Sequence, residues 1–200
     1  MNLTKRQQVA VIGMILGDGY LQATGAKNAR LRLEQSIKQK DYLLWKAGLL
    51  PPLFQGKPVF LDRIHPKTRK TYQYARQQSN ASPVLGGLRK LFYPDGRKQI
   101  PDDLAKFLRD DIAFAVWFYD DGYCYERDRC SYLYLGTVSR HEADIAQKAI
   151  AEKFGIASTV IDKKKKGFAL YFSRIESGKI KKILEKYPVP GMAYKIPLTP

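Results

Sequence analysis

The chain reads as an α+β protein of two pseudo-symmetric αββαββα halves, each building an antiparallel sheet, with the two opening helices at the central interface. Three observations predict this. Val11 to Gly19 and Phe114 to Gly122 are apolar stretches long enough for two helical turns, and each stops at an acid and a glycine. Each is followed at a comparable separation by a lysine just ahead of Ile-Pro, in Lys98-Gln99-Ile100-Pro101 and Lys195-Ile196-Pro197. Between these landmarks both halves run through the same order of strands and helices, which marks an internal repeat. The halves divide at 1–101 and 102–200.

In the first half, Tyr20 to Ala23 and Ala29 to Glu34 read as a hairpin around Gly25 to Asn28. Leu31 and Leu33 alternate with Arg30, Arg32 and Glu34, so one face is apolar and the other charged. Lys40 to Leu50 carries helical spacing through Tyr42, Leu43, Trp45, Leu49 and Leu50, and Pro51-Pro52 ends it. Val59 to Ile64 and Thr71 to Gln77 form a second strand pair, with Pro66-Lys67-Thr68 at the turn. The outward face of the last strand is either Tyr72, Tyr74 and Arg76 or Thr71, Gln73 and Gln77. A helix over Pro83 to Phe92 precedes the Pro94-Asp95-Gly96 turn.

The second half repeats the order. Tyr123 to Glu126 pairs with Tyr132 to Thr137, where Leu133 and Leu135 oppose Tyr132, Tyr134 and Gly136. His141 to Phe154 is a helix with Ala143, Ile145, Ala146, Ala149 and Ile150 on one face. Ser158 to Asp162 and Phe168 to Ser173 pair across Lys163-Lys164-Lys165-Lys166-Gly167, with Phe168, Leu170 and Phe172 inward and Ala169, Tyr171 and Ser173 outward. Ile175 to Lys186 is the final helix.

A net charge of +16 points to a polyanionic partner, nucleic acid first and an anionic membrane surface second. No run approaches the ~18 apolar residues that span a bilayer, and Met1 to Arg6 lacks the apolar core of a signal peptide, so the chain reads as intracellular. Cys124 and Cys130 have no second pair to complete a zinc site, and His65 and His141 lack ligand spacing. Chemistry therefore falls to carboxylates, lysines and a hard metal.

A carboxylate at a helix C-terminus faces the negative end of the macrodipole and is disfavoured unless a cation offsets it. Two apolar helices packed side by side would bring Asp18 and Asp121 together at one end, with Gly13 and Gly17 permitting a short interaxial distance. Neighbouring carboxylates share a proton or bind a cation, and oxygen ligands with open positions suit Mg²⁺, with Mn²⁺ as a substitute. Gly17 and Asp120, beside the two acids, complete the candidate metal set. Such a site suits phosphodiester hydrolysis. Lys98 and Lys195, in the stiff setting before Ile-Pro, are placed to act on the phosphate near each acid.

The residues Ile12-Gly13-Met14-Ile15-Leu16-Gly17-Asp18-Gly19-Tyr20 and Trp117-Phe118-Tyr119-Asp120-Asp121-Gly122, with Gln35 to Tyr42 and the two Ile-Pro closures, carry a family resemblance. The chain resembles the two-motif, single-chain LAGLIDADG homing endonucleases, in particular those found with mobile group I introns, from about Gln7 to Pro197. It departs from the pattern where Val116 replaces the second helix-contact glycine, with Ala113 and Ala115 nearby to supply the close approach. Leu16 and Tyr119 occupy a sixth position that is often acidic.

The resemblance implies saddle-shaped sheets on DNA. It also implies a monomer that cuts both strands of a long asymmetric target across the minor groove, leaving short 3′ overhangs and initiating intron mobility. The location implied is a bacterial cytoplasm or an organelle, mitochondrion or chloroplast. DNA contacts are expected from the outward strand residues Arg30, Arg32, Arg69, Tyr74, Arg76, Tyr132, Tyr134 and Tyr171. Lys27, Lys67 and Lys163, Lys164, Lys165 and Lys166 near turns are expected to meet phosphates. The alternatives are an RNA maturase that assists intron splicing and a DNA-binding protein without catalysis.

Overall fold

The computed structural model describes residues 3–198, so the first residues of the Met1 to Arg6 run and the last two of the chain lie outside the described residues. Helix α1 (Lys5–Leu16) starts at a capping box, in which the Thr4 hydroxyl accepts from the Gln7 N–H and Gln7 Oε1 accepts from the Thr4 N–H. These exchanges satisfy donors that a helix start otherwise leaves open. From Val9 to Leu16 every residue is buried. In α4 (Asp111–Asp121) the same holds from Ile112 to Tyr119. Helices apolar on all sides must be covered on all sides, and α1 and α4 cover each other.

The contact is close because Gly13 lies against Ala113. A Cβ at Gly13 would stand 2.4 Å from the Ala113 carbonyl oxygen and 2.9 Å from its Cα. Ala113 thus supplies the small residue opposite Gly13, and Val116 is not required to.

Each of these helices leads into a four-stranded antiparallel sheet. The first holds β1 (Tyr20–Ala23), β2 (Ala29–Ser36), β3 (Val59–Ile64) and β4 (Thr71–Gln78), in the order β1-β2-β4-β3. The second holds β5 (Gly122–Tyr125), β6 (Cys130–Gly136), β7 (Thr159–Asp162) and β8 (Phe168–Phe172), in the order β5-β6-β8-β7. Helices α2 (Lys40–Gly48), α3 (Pro83–Phe92), α5 (Arg140–Phe154) and α6 (Arg174–Leu184) pack on the inner sheet faces.

The expected alternation holds along β2, where Leu31, Leu33 and Gln35 are buried and Arg30, Arg32, Glu34 and Ser36 are half-buried on the other face. β4 resolves its two possible registers: Ala75 and Gln77 turn inward, leaving Tyr72, Tyr74 and Arg76 on the outer face. In β8 Ala169 shares the outward parity of Tyr171 but is fully buried, between Tyr134 on β6 and Ile161 on β7. Both cysteines are free thiols. Among the described residues no helix is long and apolar enough to cross a membrane.

Candidate active site and nucleic-acid interface

The C-terminal ends of α1 and α4 lie side by side. Asp18 and Asp121 line one cavity of about 960 Å³, together with Gly17, Lys98, Arg97 and Tyr134. The two ends also touch directly, since the Asp18 N–H donates to Asp120 Oδ2 at 3.1 Å. Burial and the nearby charges of Asp18 and Asp120 push the Asp121 carboxyl up to about 8, against a smaller opposing pull from Lys98 and Lys195.

Lys98 and Lys195 reach this end of the helices, but their ammonium groups go to main-chain oxygens rather than to the carboxylates. Lys98 Nζ donates to the carbonyls of Gly17 at 2.6 Å and Leu16 at 3.3 Å. Lys195 Nζ donates to the carbonyls of Gly122 at 2.7 Å and Asp120 at 3.2 Å. Each lysine thus holds the exposed carbonyl end of its own half's helix, where a cation is stabilised by the dipole. Burial draws both ammonium groups below their ordinary range, and the acids draw them back up. With three donors on each ammonium, one N–H of each stays uncommitted to these carbonyls.

Asp120, expected beside the metal, is placed otherwise. Its Oδ1 accepts from Lys46 Nζ at 2.7 Å and from Gln35 Nε2 at 3.3 Å, and its Oδ2 holds the Asp18 N–H. The Lys46 and Asp120 side chains are both fully buried. The Asp120 carboxylate is thus committed to Lys46, Gln35 and the Asp18 N–H, while the Gly17 carbonyl accepts from Lys98 and keeps a second lone pair.

Sequence reasoning had singled out neither Lys46 nor Gln35 for the site. Gln35 Nε2 also donates to Asp18 Oδ2 at 3.0 Å, so it spans the acids of both halves. The signal available was its inward parity in β2, where a polar residue needs a buried partner. For Lys46 the signal was its helical register with Tyr42, whose ring its ammonium covers at 4.3 Å.

The donor set passes a simple test for a hard divalent cation. Asp18 and Asp121 offer carboxylate oxygens to one cavity, and among the described residues neither carboxylate is held in an ion pair. Among the described residues no three His, Cys, Asp or Glu side chains gather into a complete cage. Mg²⁺ suits such a place because it keeps waters and takes substrate phosphate oxygens.

The outer sheet faces differ. On the first, Glu34 pairs with Arg63 and Arg76 at 2.7 Å each, Arg32 stacks on Tyr20, and Arg63 stacks on Tyr74. Arg30 reaches Gln78 across the sheet. On the second, Tyr123, Tyr125, Tyr132, Tyr134 and Tyr171 form a chain of ring contacts. Lys163 lies over the Tyr132 ring at 4.3 Å, which puts it on the tyrosine face. Lys27, Lys67, Lys164, Lys165 and Lys166 are exposed at turns, and Arg69, expected on an outward strand face, instead lies in the turn between β3 and β4; Arg69 and Lys164 are in the left-handed region.

Two helix-ended acids at a seam between two matching sheets of one chain define a single-chain, two-motif homing endonuclease scaffold. Residues 8–180 match the LAGLIDADG DNA endonuclease family, and the chain belongs to that family. It is 25% identical to the DNA endonuclease I-ChuI of Chlamydomonas applanata, covering 98% of this chain and 96% of that one. It is 28% identical to a RecA protein of Mycolicibacterium flavescens over 97% of its own length, but spans only 47% of that protein. The homing endonuclease I-WcaI bound to its DNA recognition sequence shares the fold, with a TM-score of 0.88 at 22% identity, covering 100% of this chain and 89% of that one.

Proposed function

We propose that the protein is a site-specific, divalent-metal-dependent DNA endonuclease. It hydrolyses one phosphodiester in each strand of an asymmetric target and works as a monomer inside the cell. The observation that carries this reading is the meeting of Asp18 and Asp121 in one cavity, with a lysine ammonium behind each helix end. Asp18 and Asp121 would hold Mg²⁺ or Mn²⁺. When bound, such an ion would supply electrophilic charge at the phosphate and a more acidic water.

Lys98 and Lys195 then have two tasks. They stiffen the carbonyl ends that set the positions of the acids, and they aim a remaining N–H toward the charge that builds on the phosphate in the transition state. Asp121, raised by burial and by the neighbouring acids, would be held ionised by a cation beside it. Unlike halves in one chain suit a target without palindromic symmetry, since a two-fold target calls for identical subunits.

The sheets would lie in adjacent stretches of the major groove, with Arg30, Arg32, Tyr74 and Arg76 on one half-site and Tyr132, Tyr134 and Tyr171 on the other. Lys27, Lys67, Arg69, Lys164, Lys165 and Lys166 would meet phosphates at the rims. Cleavage across the minor groove with short 3′ overhangs, and intron mobility as the outcome, belong to the same reading.

The test is incubation with Mg²⁺ and a randomised duplex library, followed by sequencing of the cut ends. One long asymmetric consensus is expected, and the absence of cut products with binding retained would overturn the nuclease reading. Affinity for the selected site should fall with salt by about 0.9 log units per log unit for each phosphate neutralised. Lys27→Ala and Lys67→Ala should each flatten that slope by about 0.9, with little change in the preferred sequence, as measured by binding titrations at several salt concentrations.

A further inference from the structure

The two acids are not held alike. The residue before each breaks the repeat, with Gly17 ahead of Asp18 and Asp120 ahead of Asp121. The difference is complementary in space. A Cβ at Gly17 would stand 2.3 Å from Asp120 Oδ2 and 2.7 Å from the Asp120 Cβ, so the Asp120 side chain fills the room that glycine leaves.

From there Asp120 Oδ2 takes the Asp18 N–H at 3.1 Å, while Oδ1 is gripped by Lys46 Nζ at 2.7 Å. Lys46 is anchored in turn, since Tyr42 one helical turn back donates its hydroxyl proton to the Val116 carbonyl at 3.1 Å. The result is a brace from α2 of the first half, through Asp120 of the second, back to the main chain of Asp18. No counterpart exists on the other side, because Gly17 has no side chain and, among the described residues, no side chain donates a hydrogen bond to the Asp121 carboxylate.

We propose that Lys46 and Asp120 are positioning residues that act on Asp18 and not equally on Asp121, so that the cuts in the two DNA strands depend unequally on this buried pair. The inference rests on the endonuclease reading. A displacement of about 1 Å at a reacting centre can cost on the order of 10²-fold in rate, and the loss should be concentrated on one strand.

The test uses the library-selected target, each strand carrying its own label, in single-turnover cleavage by the full chain. Removing one partner alone would strand a buried charge, whereas an apolar pair of similar volume is usually tolerated. The double variant Lys46→Met with Asp120→Leu therefore removes the pair and the acceptor for the Asp18 N–H together. It should slow one strand at least about tenfold and the other by less than about threefold, with unchanged DNA affinity.

Lys46→Met with Asp120→Asn keeps an acceptor oxygen for the Asp18 N–H and should restore much of the slowed strand. Gly17→Ala leaves the charges in place but presses its methyl on both the carboxylate and the Cβ of Asp120, so it should slow the same strand more than the other. Equal slowing of both strands, or no slowing in a folded variant, would overturn the proposal. A wild-type protein that cuts neither strand would instead overturn the endonuclease reading itself.

Discussion

Asp18→Asn and Asp121→Asn should each abolish double-strand cleavage, by about 10³-fold or more, while leaving target binding within a few fold. Each change keeps the side-chain shape and removes the negative charge a divalent cation requires. The two variants should differ in stability. Asp121 is an acid whose protonation is favoured in the folded protein, by burial and by Asp18 and Asp120, and burial raises the neighbouring Asp120 too. A carboxyl raised in the native state binds its proton more tightly folded than unfolded. Metal-free stability should therefore decline as pH climbs from the usual carboxylate range to about 8.

Asp121→Asn should shrink that decline to the share belonging to the buried Asp120, and raise the metal-free midpoint at pH 8, by about 1–3 kcal/mol in stability after allowance for solvent around the cavity. Thermal melts in chelator across pH 5 to 8 check this. Mg²⁺ should stabilise the wild type and leave the asparagine variant nearly unmoved. A wild-type protein more stable at pH 8 than at pH 5 in chelator would remove the basis of this account.

Gly13→Ala should be among the most damaging single changes for folding. The added methyl would sit 2.4 Å from the Ala113 carbonyl oxygen, a backbone atom that cannot swing aside. Accommodating it means parting α1 from α4 along a contact that buries both helices almost completely. The expected cost is about 2–4 kcal/mol, a large share of the margin of an ordinary domain. Denaturant unfolding measures it, and Gly87→Ala, where no atom lies within 4 Å of the added methyl, serves as the control. A Gly13→Ala protein as stable as that control would show that the helices do not approach as described.

The fold was legible because its elements announce themselves locally. Helices apolar on every side could only be central, and the alternation of Leu31 and Leu33 with Arg30 and Arg32 assigned faces to β2 without any tertiary information. Its limits were equally physical. Strand ends shifted by one or two residues, as where β2 runs on to Ser36 and β5 begins at Gly122.

The site was legible in its repeated parts, the acids and the lysines, and obscure where the repeat is broken. Asp120 enters the candidate metal set by its place beside Asp121, and nothing in the sequence shows that its carboxylate also meets Lys46 and Gln35. Its partner Lys46 is 74 residues away on a different helix, and Gln35 is 85 away. Helical register puts Lys46 on the face of Tyr42, but only the packing of α2 on the seam makes that face dry at Lys46.

With the sheets on DNA as proposed, the contrast between the two outer faces would govern how readily base preference could be changed. On the first sheet Arg32 with Tyr20 is a separate stack that can be changed alone, while Arg63 with Tyr74 is tied through Glu34 to Arg76. On the second, Tyr132 touches three other rings, and replacing it would loosen the whole aromatic run. Retargeting the first half-site could start from Arg32 alone, whereas the second would have to be rebuilt as a block.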